Sequence, residues 1–95
     1  MGNIVITAIL KSKPECENQL FEVLQEVVPP TRKESGCINY QLHKSLDEQG
    51  IFVFYEVWQD EASLKEHMES DHYKAYRQQA EQLIESRSVH RLKVV

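Results

Sequence analysis

His67 is the residue whose place in the chain most directly raises a question of chemistry. Leu64, His67 and Met68 recur at i, i+3 and i+4, which is one face of a helix, so the imidazole points with its neighbours toward a core. It is then either a core histidine satisfied by a hydrogen bond or a neutral imidazole in an apolar cavity, able to take a proton from a substrate. Glu56 poses a similar choice. It alternates with Phe54 and Trp58 and shares their face, and a carboxylate on an apolar face must be paired or have a raised pKa. An ion pair with Arg77 or Arg91 would make Glu56 structural; otherwise it orients His67 or contacts substrate. Trp58, Tyr40, Phe52 and Phe54 read first as core. Tyr40 and Trp58 also carry polar groups that can be aimed at a ligand. His72 lies beside an expected helix start and fits either a capping region or a site.

Other chemistries lack their residues. Gly2, Gly36 and Gly50 are too scattered for a phosphate loop, and neither Cys-x-x-Cys nor His-Glu-x-x-His occurs. His67 and His72 are five apart, on different sides of any continuous helix. No metal site and no flavin are therefore expected. Cys16 and Cys37 read as free thiols rather than a disulfide.

The elements that must position these residues follow from periodicity. Residues 4–11 are β-branched and read as a strand. Ser12, with Glu15 three residues on, forms a capping-box pattern for a helix in which Leu20, Leu24, Val27 and Val28 mark the buried stripe. Pro29-Pro30 should kink that helix, with a short resumption to Glu34 and an end at Ser35-Gly36. Cys37–Lys44 and Ile51–Trp58 make a hairpin. Asp60 caps a further helix, Ser70-Asp71 breaks and restarts it, and Tyr73, Tyr76, Ala80, Leu83 and Ile84 continue its apolar stripe. Val89–Val94 reads as a last strand.

That order, β-α-β-β-α-β, is the ferredoxin-like α+β arrangement, with two helical regions covering one face of a four-stranded antiparallel sheet. Val53, Tyr55 and Val57 give the third strand a second apolar face, and a second copy of the chain is the simplest cover for it. The expected assembly is a homodimer joined through that face.

The chain has 95 residues, which suits one domain spanning residues 1–95. Its net charge of −4 argues against a nucleic-acid backbone as partner. The run Ile51–Tyr55 is far too short to span a bilayer, and no secretory leader is recognisable. Met1-Gly2 opens like an acylation signal, but Ile6 stands where Ser or Thr is wanted. A cytoplasmic location without membrane association is the default.

Four segments together carry a resemblance. Glu34-Ser35-Gly36-Cys37-Ile38-Asn39-Tyr40, Phe52–Trp58, Leu64-x-x-His67 and Ser70–Tyr76 resemble the antibiotic-biosynthesis monooxygenase family, nearest its quinol monooxygenase branch. The resemblance implies a dimeric α/β barrel and cofactor-free oxygenation of a small phenolic or quinol substrate by dioxygen. It implies catalytic roles for His67 and Glu56, and substrate contacts from Trp58, Tyr40, His72 and Phe54. A haem-degrading branch is disfavoured by Thr7, His67 and Arg77 at its characteristic positions. The alternatives are a small-molecule isomerase and a non-catalytic, ligand-binding or stress-related barrel protein.

Overall fold

The computed structural model describes residues 2–95; Met1, half of the acylation pattern, lies outside the described residues. Strand β1 (Ile4–Ser12) leads to helix α1 (Glu17–Arg32), the hairpin β2 (Cys37–Lys44) and β3 (Ile51–Trp58), helices α2 (Glu61–Glu69) and α3 (Asp71–Glu81), and strand β4 (Ile84–Leu92). The sheet is antiparallel in the order β2-β3-β1-β4, which is the ferredoxin-like α+β topology expected from the sequence. The helix between β3 and β4 is two helices, divided at Ser70.

Cross-strand register sets the two faces of the sheet. Tyr40, Glu56, Ile6 and Arg91 are successive neighbours across the four strands on the helix side, and Leu42, Phe54, Ala8 and Val89 form the next row. Leu20, Leu24, Val27, Leu64, Tyr76 and Ala80 from the helices close over these rows to make the core. Val5, Thr7, Ile9, Val53, Tyr55 and Val57 point the other way. Ile9 is 37% and Tyr55 38% exposed on that uncovered face, a surface that the chain itself does not bury.

Three local expectations need correction. The capping box does not form: Ser12 is buried in β1, Cys16 occupies the N-cap of α1 without a side-chain hydrogen bond, and Glu15 turns the chain at φ 68°. Its amide donates to Glu17 Oε2 at 3.1 Å, a local closure that replaces the box. Pro29 and Pro30 do not interrupt α1, which continues to Arg32. The missing proline N–H groups would have bonded the carbonyls of Gln25 and Glu26, and both residues lie on the exposed side, where water can serve those oxygens. Strand β4 begins at Ile84 rather than Val89, so Ile84 belongs to the sheet and not to the helical stripe. Ser86, Arg87 and Ser88 are held by the β1 ladder at a polar edge that shows no apolar alternation. Both cysteines are free and half-buried. No helix among the described residues is long and apolar enough to cross a membrane.

Candidate active site

The site is built around His67, and its position begins with two caps. Asp60 accepts a hydrogen bond from the Ser63 amide at 2.8 Å and starts α2. Ser70, in an extended conformation, ends α2 and caps α3, its hydroxyl accepting from the Tyr73 amide at 3.2 Å. This break rotates α3 out of the helical phase of α2, so His72 comes back to the His67 side and their ring centroids lie 6.0 Å apart.

Both imidazoles converge on one residue that sequence reasoning did not select. Glu34 Oε2 accepts from His67 Nδ1 at 2.8 Å and from His72 Nε2 at 2.7 Å. Glu34 lies in the turn between α1 and β2. That turn reaches α2 because Gly36 packs onto Ser63: a β-carbon at position 36 would stand 2.0 Å from the Ser63 hydroxyl oxygen. The Gln59 amide also donates to the Gly36 carbonyl at 2.9 Å. Nothing in the sequence pattern marks Glu34 as more than a polar turn residue, although it opens the first segment of the family resemblance.

The carboxylate can only accept, so Nδ1 of His67 carries its proton and Nε2 is left as the basic nitrogen. His67 is 1% exposed. Burial pushes its pKa below the ordinary 6.5, and the Glu34 bond and charge pull it back only in part. The resting side chain is the neutral imidazole. Glu34, His67 and His72 also place three donor atoms within 4.8 Å of one another, close enough to be considered for a metal ion. This grouping departs from the expectation that the five-residue spacing keeps the two histidines apart.

Glu56 is 6% exposed and pairs with neither Arg77 nor Arg91. Its partner is Trp58, two residues along the same face, whose indole N–H donates to Glu56 Oε1 at 2.9 Å. Burial raises the Glu56 pKa to about 7; the Trp58 bond and the Arg87 charge oppose that rise without cancelling it. Burial likewise holds the Tyr40 hydroxyl far above its ordinary range. A neutral base, a tyrosine held in its protonated form and a carboxyl that ionises near neutrality therefore sit together on the inner face.

A cavity of about 870 Å³ opens onto these groups between the sheet, α2 and α3. His67, Glu56 and Tyr40 line it, with Ile6, Ala8 and Leu64 among its apolar walls. Trp58, Phe54 and His72, expected to touch substrate, do not line it. Trp58 lies behind His67 with ring centroids 4.5 Å apart, and Phe54 packs between Tyr40 and Tyr76. Met68, expected in the core, is 50% exposed and forms part of the cavity wall instead.

A ferredoxin-like sheet with a half-open, largely apolar cavity, a buried neutral histidine and a buried glutamate that ionises near neutrality defines a small acid–base site in an α+β scaffold. Residues 3–79 match the profile of the family described as antibiotic biosynthesis monooxygenase, and the chain belongs to that family. It is 33% identical over 81 residues to Bacillus subtilis YcnE, which bears a provisional monooxygenase name; the match covers 85% of each chain. The solved structure of Rv0793 from Mycobacterium tuberculosis superposes with a TM-score of 0.92 at 31% identity, covering 98% of this chain and 95% of that one. Over 81 residues the chain is 28% identical to Synechocystis sll1783, of which it spans 55% of the length and which it matches over 85% of its own. These likenesses support a monooxygenase-type function, and proteins of the family are commonly dimeric.

Proposed function

We propose that the protein is a cofactor-independent monooxygenase acting on a small phenolic or quinol substrate. The observation that carries this reading is His67: a neutral imidazole in the wall of an apolar cavity, its tautomer fixed by Glu34. His67 Nε2 takes the phenolic proton. The electron-rich phenolate then transfers an electron to dioxygen, and the resulting pair combines to a substrate peroxide. The peroxide carbon then loses its hydrogen as a proton, the O–O bond breaks to leave a quinone carbonyl, and the outer oxygen departs as water with that proton and the one His67 took. Tyr40, and Glu56 in its protonated form, supply hydrogen bonds to the oxygens on which charge develops, and the apolar walls limit the access of water to the peroxide. Trp58 holds Glu56 in place from behind, and Glu34 does the same for His67.

The protein acts in this reading as a homodimer. The exposed apolar face of Ile9, Val53, Tyr55 and Val57 meets its counterpart, and the two sheets form the barrel. The same neutral acid and neutral base also suit a second reaction, proton shuttling in the isomerisation of a small carbonyl compound. Oxygen uptake by purified, metal-free protein with a panel of quinols separates the two. The oxygenase consumes dioxygen with at least one quinol, and His67→Ala lowers turnover by about 10²–10⁴ while the dimer persists. Undiminished turnover in that variant removes His67 from the mechanism, and no uptake with any quinol removes the oxygenase.

A further inference from the structure

The cavity wall holds an arrangement that the proton chemistry above does not use. Arg77 of α3 and Arg87 of β4 converge on a single neutral oxygen. The Tyr73 hydroxyl accepts from Arg77 Nη1 at 2.9 Å and from Arg87 Nη2 at 3.4 Å, and all three residues line the cavity. Neither guanidinium has a carboxylate within 4.0 Å among the described residues. The other arginine of the wall, Arg91, is bonded to Glu61. Glu69, the remaining carboxylate at the rim, lies beyond that distance from both.

Both guanidinium groups are exposed, so water screens their mutual repulsion, and an anion lying between them would relieve what remains. Each guanidinium has five N–H donors in a fork suited to oxyanions, and each spends one on Tyr73. The charge of Arg87 is also felt inside the cavity, where it favours the ionised forms of Glu56 and Tyr76. The concentration is local, because the chain as a whole carries −4. Lys65, Arg77, Arg87 and Arg91 line a cavity in an otherwise acidic protein.

We propose that Arg77 and Arg87 bind an anionic oxygen group, a carboxylate or a phosphate, carried by the small molecule whose ring fills the cavity. The substrate is then an acidic phenol or quinol rather than a neutral one. The aromatic part of this assignment rests on the oxygenase reading above; the anion site itself does not.

The test is equilibrium binding to the protein, read by the fluorescence of Trp58, the sole tryptophan, whose ring lies 4.5 Å behind that of His67 in the cavity wall. The probes are hydroquinone, 2,5-dihydroxybenzoate and 4-hydroxyphenyl phosphate. At low ionic strength at least one anionic probe binds about tenfold or more tightly than hydroquinone. Arg77→Gln and Arg87→Gln each weaken that probe about tenfold and leave hydroquinone unchanged. Whichever of the two anionic probes binds better identifies the group as carboxylate or phosphate. Equal affinity for all three probes, or variants that weaken hydroquinone as much as the anions, overturns the proposal. Should a variant fail to fold, salt is the second readout. Raising ionic strength from about 10 to about 300 mM weakens only the anionic probes, and a flat response overturns the proposal. Tight anion binding without oxygen uptake refutes the oxygenase and leaves the anion site standing. Uptake with the anionic probes that ignores both arginine substitutions does the reverse.

Discussion

Replacing Glu56 by Gln should stabilise the protein above neutrality and leave it nearly unchanged in acid. In the unfolded chain the carboxyl ionises near 4.5; in the folded protein burial delays ionisation to about 7. Between those values the unfolded state releases a proton that the folded state retains, so stability falls as pH rises and the loss is complete above about 7. A difference of 2.5 between 7 and 4.5, at 1.36 kcal/mol for each, comes to about 3 kcal/mol. Glu56 is 6% exposed, so solvent screening does little to reduce this figure. Glutamine keeps an oxygen that can accept from the Trp58 indole and has no charge to bury. The measurement is thermal unfolding of both proteins at pH 4 and pH 8. For a chain of this size, about 3 kcal/mol corresponds to more than about 10 °C of additional Tm in the variant at pH 8, with little difference at pH 4. The pH 4 comparison absorbs whatever the extra amide hydrogens cost. If both proteins lose the same stability between the two pH values, Glu56 is not the buried carboxyl that ionises near neutrality, and its role as a protonated donor fails with it.

Two further outcomes follow from the same geometry. Glu34→Gln removes the charge that partly offsets the desolvation of His67, so the histidine pKa, already below 6.5, should fall further. Proton NMR titration of the ring reads this directly, and an unmoved His67 midpoint would show that Glu34 does not set its basicity. A folded histidine with a depressed pKa contributes stability that is present above 6.5 and is lost as pH falls, so the same variant should also be more acid-sensitive. Val53→Asp places a charge in the centre of the uncovered sheet face. Sedimentation should change from twice 11.1 kDa to the monomer mass or the chain should become insoluble, whereas an intact dimer would place the interface elsewhere.

What was readable in the sequence was whatever depended on neighbours along the chain. The β2–β3 hairpin, the Asp60 cap and the break at Ser70 are each specified by a few consecutive residues, and all three stand in the structure. Alternation placed Glu56 and Tyr40 on the inner face, and helical spacing placed His67 there. The first half of β4 was unreadable because an edge strand supported by one neighbour needs no apolar pattern. Pro29-Pro30 misled because the kinking rule counts lost hydrogen bonds, while the structure loses them on a face open to water.

The polar core of the site was hidden for a different reason, and Ser70 supplies it. In one continuous helix, five residues turn the side chain by about 140°, so His67 and His72 would diverge. The extended backbone at Ser70 resets that phase, so the spacing that argued against a shared site became the spacing that creates one. Glu34 then enters from a third element, 33 residues from His67, on a turn whose approach to α2 depends on Gly36 having no side chain. Each of the three residues has an ordinary local role: one on a helix face, one near a helix start, one in a turn. Their chemistry is a property of the junction between α2 and α3 pressed against the turn before β2. The break and the glycine, rather than the histidines themselves, are the features that turn two imidazoles and a carboxylate into one hydrogen-bonded unit.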